Sequence, residues 1–181
     1  MWYFLGAVVL LVIFAVSIYN RLVSSKIHVD EGWSGIDVQL KRRYDLIPNL
    51  VEAVKGYMQH ERGVLENVTS LRSRAMGTTD VKGKAELENN ITQALKTIFA
   101  VAEAYPDLKA NQNFLELQKN LNQIEEEIQL ARRYYNGTVR DYNIQVQSFP
   151  SNVFAQSFNF KVAEFFEITE AAERAAPQVK F

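Results

Sequence analysis

The stretch WSGIDVQLKRRYDLIPNLVEAVKGYM, residues 33–58, decides the fold class of this chain. Its apolar residues Trp33, Ile36, Leu40, Tyr44, Ile47, Val51, Val54 and Met58 fall at spacings of 3, 4, 4, 3, 4, 3 and 4. That is the repeat of one helix face, about seven turns long, and no period-two alternation competes with it. Pro48 lies inside the stripe. A proline there withdraws the N–H that would bond the Tyr44 carbonyl, yet the stripe resumes in phase beyond it. A kinked but continuous helix is therefore expected.

The same period extends toward the C-terminus. Leu65, Val68, Leu71 and Ala75 continue after Gly63, as an extension of the first helix or as a second, short one. MGTTDVKG, residues 76–83, holds two glycines and an aspartate and is the clearest turn. Leu87, Ile91, Leu95, Ile98, Ala102 and Tyr105 then share a face that Pro106 should stop. Another helix begins near Asn111 or Asn113, either of which can cap it. Its stripe is the longest: Phe114, Leu117, Leu121, Ile124, Ile128, Ala131, Tyr135, Tyr142 and Val146, with Thr138 or Val139 bridging the middle. Alternating spacings of 3 and 4 suit a coiled-coil-like seam. Pro150 ends it, and Ser151 can cap a short following segment. Long amphipathic helices with short connections predict antiparallel neighbours, so the fold class is all-α, an up-and-down bundle. No internal repeat of fixed period is present.

Toward the N-terminus, Met1 to Tyr19 contain no charged side chain. Nineteen helical residues rise about 28 Å, the thickness of a bilayer's hydrocarbon core. Trp2, Tyr3 and Tyr19 suit the aromatic belts of the two interfaces. A cleaved signal peptide competes with this expectation, and Ala15-Val16-Ser17 resembles a cleavage site. No basic residue precedes the run, however, the run is too long, and bulky Ile18 and Tyr19 follow that site, so a retained anchor is favoured. Arg21 and Lys26 follow the span, which puts the C-terminal part in the cytoplasm by the positive-inside rule; Asp30 and Glu31 dilute that signal, and the other side of the membrane stays open. The expected organisation is an anchor and juxtamembrane segment over 1–27, a long-helix bundle over 28–150 and a Phe-rich segment over 151–181.

Composition narrows the chemistry. Twenty basic and twenty-one acidic residues give no field to draw in nucleic acid. The absence of cysteine excludes disulfides, thiolate catalysis and thiolate metal sites. A helical bundle invites a carboxylate-bridged dimetal site, which needs two Glu-x-x-His motifs. Only His28 and His60 exist, and Tyr57 stands three before His60. His60-Glu61 is followed by Val64 where a zinc peptidase needs its second histidine. No phosphate-binding loop, dinucleotide fingerprint or nucleophile elbow is present. No catalytic residue, metal site or cofactor is expected. The run Glu125, Glu126, Glu127 is expected on an outer helix face.

Two polar stripes stand out. Arg42, Asp45, Asn49 and Glu52 share one face of the first helix, and Arg133, Asn136, Arg140, Asn143 and Gln147 one face of the long later helix. Solvated faces account for both. Alternatively they form a contact seam in which an Arg-rich face meets a carboxylate-bearing one. A third feature is aromatic. Phe149, Phe154, Phe158, Phe160, Phe165 and Phe166 hold six of the chain's eleven phenylalanines. They either seal one end of the bundle or form a contact with another copy or the membrane. A last amphipathic piece is expected before Pro177.

DVQLKRRYDLIPNLVEAVKGY, residues 37–57, followed by His60-Glu61, resembles the signature segment of the LemA family of bacterial membrane proteins. ARRYYNGTVRDYN, residues 131–143, resembles that family's second signature, and the Phe-rich stretch and closing PQVKF are similar to its C-terminal region. The resemblance implies one span, an antiparallel bundle and a cytoplasmic domain, and supplies no reaction or ligand. Its most characteristic positions match Asp45, Pro48 and Asn49, and Arg133, Tyr135 and Asn136, which favours the contact seam more than polarity alone does. The expectation is a single-pass protein of the cell (inner) membrane that contacts lipid through residues 1–19 and is a non-enzymatic, self-associating scaffold. An adaptor for another membrane protein is the alternative.

Overall fold

The computed structural model describes residues 1–58 and 60–167. The amphipathic piece expected before Pro177 lies outside them. The described residues are helical in six elements with no strand: α1 (Trp2–Lys55), α2 (Arg62–Gly77), α3 (Val81–Ala102), α4 (Pro106–Lys109), α5 (Gln112–Gln147) and α6 (Ser151–Ser157). An all-α chain that opens with a long apolar helix is the expected class. α1 passes through Pro48 and through residues 27 and 28 as one helix. Leu65 to Ala75 form a separate helix, α2.

Local chemistry sets the boundaries. Asp80 caps α3 by accepting the Gly83 N–H at 2.7 Å, which satisfies one of the free donors of the first turn. A Cβ on Gly83 would lie 2.7 Å from that carboxylate, so a larger residue there would shift the capping side chain. Asn111 rather than Asn113 caps α5, its Oδ1 accepting from Asn113 N and Phe114 N at 3.0 and 3.2 Å. Two expectations are corrected. Pro106 does not stop the preceding helix; α3 already ends at Ala102, and Pro106 begins α4, where its missing N–H removes no bond. Ser151 does not cap α6; its hydroxyl donates back to the carbonyls of Gln145 and Ser148, at 2.6 and 2.9 Å, and closes the end of α5.

The chain divides into two compact units. The first comprises residues 1–40 and 126–165. In it α5 runs antiparallel to α1, since the Trp33 and Tyr135 rings meet at 5.6 Å and Gln145 donates to Ser25 at 2.8 Å. The helices touch where side chains are smallest. A Cβ on Gly32 would lie 3.2 Å from the Tyr135 Cα and 3.3 Å from Thr138 Oγ1. Gly32→Val is therefore expected to destabilise the protein by about 2 kcal/mol, because backbone cannot yield as a side chain can. Gly35, with nothing near its missing Cβ, provides the contrast: Gly35→Ala should gain up to about 1 kcal/mol of helix propensity. Thermal melts in detergent followed by circular dichroism should move in opposite directions.

The second unit comprises residues 41–125 and, of the described tail, 166 and 167. Ile47 and Val54 from α1, Met58 just beyond its end, Leu65, Val68 and Leu71 from α2, Ile91 and Ile98 from α3, and Phe114, Leu121 and Ile124 from α5 are among its buried core residues. The 3-and-4 spacing selects all of these; Leu50 and Leu108 are buried without lying on the expected stripes, and Val51, which lies on one, is only half-buried. Phe99 and Phe114 meet edge to face at 6.2 Å.

Candidate functional site

Three features could carry function: the apolar start of α1, the polar faces, and a charged cluster inside the second unit. In residues 1–14 every side chain is exposed, including Trp2, Phe4, Leu10, Leu11 and Phe14. A run this long and apolar meets the length and composition needed to cross a membrane, and none of it is buried in protein. Exposed apolar surface on this scale is not tolerated in water.

The first polar stripe, Arg42, Asp45, Asn49 and Glu52, is exposed along its whole length. The second divides. Arg133 and Arg140 are exposed, and Arg140 pairs with its neighbour Asp141 at 3.0 Å. Asn136 and Asn143 are half-buried. Asn143 works within the chain, accepting from the Ala163 N–H at 2.8 Å and donating to the Ala163 carbonyl at 2.9 Å. Tyr135 assists by donating to the Glu164 carbonyl at 2.9 Å. Burial, with the charges of Glu164 and Asp30, pushes the Tyr135 phenol up to about 12, so it keeps its proton and its donor role at any physiological pH.

The aromatic residues separate as well. Phe166 is buried, Phe165 is exposed, and Phe154, Phe158 and Phe160 gather near Tyr19 of α1. Tyr19 lies 4.9 Å from the Phe158 ring and 5.9 Å from that of Phe160.

The charged cluster has no counterpart among the expected site residues. Arg43 is 1% exposed and Glu88 3%. Arg43 donates from Nη1 to Glu88 at 3.2 Å and to Thr92 Oγ1 at 3.1 Å, and from Nη2 to Glu125. Tyr44 donates to the other Glu88 oxygen, and Arg72 donates to the Tyr44 carbonyl at 2.6 Å. The network ties α1, α2, α3 and α5 together. Glu125 is thus not on an outer face, which corrects the expectation for the acidic run; Glu126 beside it is exposed. Desolvation raises the Glu88 carboxyl above the usual carboxylate range, opposed by the Arg43 charge, the Tyr44 hydroxyl and Lys84.

A signal for this cluster was present. Arg43 stands three after Leu40 and four before Ile47, Glu88 three before Ile91, and Glu125 four after Leu121. Each is a charge at a position the apolar spacing assigns to the core. Three such charges, two negative and one positive, can only be buried together. Among the described residues no group of three His, Asp or Glu side chains is placed to hold a metal ion.

Residues 32–181 match the LemA family. The chain is 26% identical to Protein LemA of Metamycoplasma hominis over 152 residues, covering 83% of this chain and 69% of that protein. It is 23% identical to the magnetosome protein MamQ 2 of Paramagnetospirillum magneticum and 21% identical to the magnetosome protein MamQ of Magnetospirillum gryphiswaldense, in each case covering 86% of this chain and 66% of the relative. It thus spans about two thirds of the length of these relatives. None of these names states a reaction. The family match takes in both signature segments, the buried cluster and the clasp that Asn143 forms with Ala163, and the chain belongs to the LemA family.

Proposed function

We propose that this protein is a membrane-anchored, non-enzymatic scaffold that self-associates in the plane of the cell membrane, with its bundle on the cytoplasmic side. One observation carries the proposal: the uncovered apolar start of α1 continues, as the same helix, into the packed bundle. Such a helix confines every copy to one plane and orients its bundle the same way. Confinement raises the effective concentration, so weak lateral contacts suffice for assembly. Kinship with LemA and with the MamQ proteins supports a membrane-associated role. The exposed face of Arg42, Asp45, Asn49 and Glu52 and the exposed Arg133 and Arg140 offer charges of both signs for such contacts.

Light scattering of the full chain in mild detergent is expected to show species larger than a monomer that grow with concentration. Asp45→Arg and Arg133→Glu should each reduce that mass at least several-fold, and the double reversal should partly restore it. A monomer at every concentration would reject the scaffold. Stoichiometric capture of a foreign membrane protein by that monomer, lost in either single reversal, would establish an adaptor instead.

A further inference from the structure

From Tyr142 to Phe160 the chain carries no Asp, Glu, Lys or Arg, as it carries none from Met1 to Asn20. The structure brings these two uncharged stretches together within the first unit. After α5 the chain turns at Phe149 and Pro150, forms α6, and passes Phe158 and Phe160 across Tyr19. Phe154 and Phe158, with Ala15, Val16 and Tyr19 of α1, line an apolar cleft of about 260 Å³. Other apolar side chains of the turn are exposed: Phe149 is 83% exposed and Val153 54%, and Phe158, though it packs on Tyr19, still exposes 57% of its surface.

Depth decides what covers this surface. Ala15 and Val16 precede Tyr19 by four and three residues, which at about 1.5 Å each puts them roughly 5–6 Å inside the end of the span. Interfacial helices lay their apolar side about 5–10 Å into the boundary of headgroups and acyl chains. A side chain that touches Ala15 and Val16 is therefore at that level already. The composition suits it. Ser151, Asn152, Gln156, Ser157 and Asn159 are uncharged polar groups between the phenylalanines, and Arg21 and Lys161, which flank the two uncharged stretches, are exposed cations of the kind that favour headgroups.

The turn is also held in shape. The double hydrogen bond between Asn143 and Ala163 closes its base, Ser151 binds the end of α5, and the Phe160 N–H donates to the Ala155 carbonyl at 2.8 Å. A turn fixed in advance loses little further freedom on insertion.

We propose that the uncharged turn from Phe149 to Phe160 is a second membrane contact: it enters the interfacial layer beside the spanning helix and seats a lipid acyl chain in the cleft of Ala15, Val16, Tyr19, Phe154 and Phe158. This rests on the reading that the start of α1 spans the bilayer. The contact gives the anchor a second foot, which restrains the first unit from rotating about α1 and fixes which face meets a neighbour.

The natural absence of cysteine makes the test direct. Full-length chains carrying Phe149→Cys, Val153→Cys, Leu10→Cys or Glu66→Cys are each labelled with an environment-sensitive fluorophore and reconstituted into phosphatidylcholine–phosphatidylglycerol vesicles. Lipids carrying nitroxides near the headgroup are then added. Labels at 149 and 153 are expected to emit to the blue of the Glu66 label and to be quenched at least threefold more by the shallow nitroxide. The Leu10 label reports the span by quenching with deeply placed nitroxides. Labels at 149 and 153 that match the Glu66 label, with Leu10 quenched, overturn the second contact and leave the anchor standing. Blue emission without lipid quenching, rising with the protein-to-lipid ratio, assigns the surface to a second copy and also overturns it. A Leu10 label in water overturns both.

Discussion

Replacing Arg43 with methionine is expected to cost about 3–5 kcal/mol of stability at neutral pH, because the substitution leaves a carboxylate buried without its counter-charge. Glu88 is 3% exposed, and Arg43 is its principal opposing charge. Lys84 is close enough to help but does not replace the guanidinium, which reaches Glu88, Thr92 and Glu125 at once. The loss should depend on pH with a definite sign. Burial already holds the Glu88 carboxyl above its ordinary value in the folded protein. The folded state therefore binds the proton more tightly than the unfolded state, and stability rises as pH falls through the folded value. Without Arg43 that folded value climbs further and the window widens. Denaturant titrations of the Arg43→Met chain, followed by circular dichroism, should accordingly show a deeper loss at pH 8 than at pH 5. Arg43→Met combined with Glu88→Gln should recover a large part of it at neutral pH, since no charge then remains unpaired on Glu88. A single substitution that unfolds no more easily than the original at pH 8 would mean that water reaches the cluster.

The second large effect concerns the anchor. Val9→Arg with Leu10→Arg introduces two charges at the middle of the proposed span, each costing about 2.5–3.5 kcal/mol for insertion. Together they amount to about 6 kcal/mol, or roughly four orders of magnitude in partition at about 1.4 kcal/mol per factor of ten. The doubly substituted chain should appear in the supernatant after alkaline carbonate washing, whereas the original stays with the membrane. Ile27 and Val38 are also exposed apolar residues of α1. The same substitutions there should leave membrane retention unchanged, because those positions lie beyond the aromatic end of the span at Tyr19. Equal retention of both substituted chains would remove the anchor.

Helical periodicity in the sequence was enough to select the class and most of the core. Ile36, Leu40, Tyr44, Ile47, Val54 and Met58 are buried as their spacing requires, and Val139, not Thr138, fills the middle of the α5 stripe. Element ends were less legible where one residue type has two uses. Pro106 can follow a helix or open one, and Ser151 can cap the helix after it or close the one before; which happens depends on where the neighbouring backbone leaves a free carbonyl.

The candidate sites were legible to different depths. The polar stripes were visible as faces, but a face does not reveal its partner. Arg133 remains exposed while Asn143, three turns on and in the same stripe, binds the tail instead. Arg43 and Glu125 were hidden in plain view. Each sits beside residues of like polarity, Arg42 and Glu126, and only one member of each pair turns inward.

The amino-acid order alone determined that this chain is helical, that its first nineteen residues are apolar enough and long enough to span a bilayer, and which faces of its helices turn inward. Those properties depend on residues three and four apart, which are neighbours in any helix whatever surrounds it. Only the tertiary structure decided that Arg43 joins Glu88 and Glu125, and that the uncharged turn at Phe149 to Phe160 lies against the end of the apolar run of α1. These pairings join residues from 45 to more than 130 positions apart. They form because a buried charge must find its opposite and an exposed phenylalanine must find cover, and the packing of whole helices determines which one is within reach.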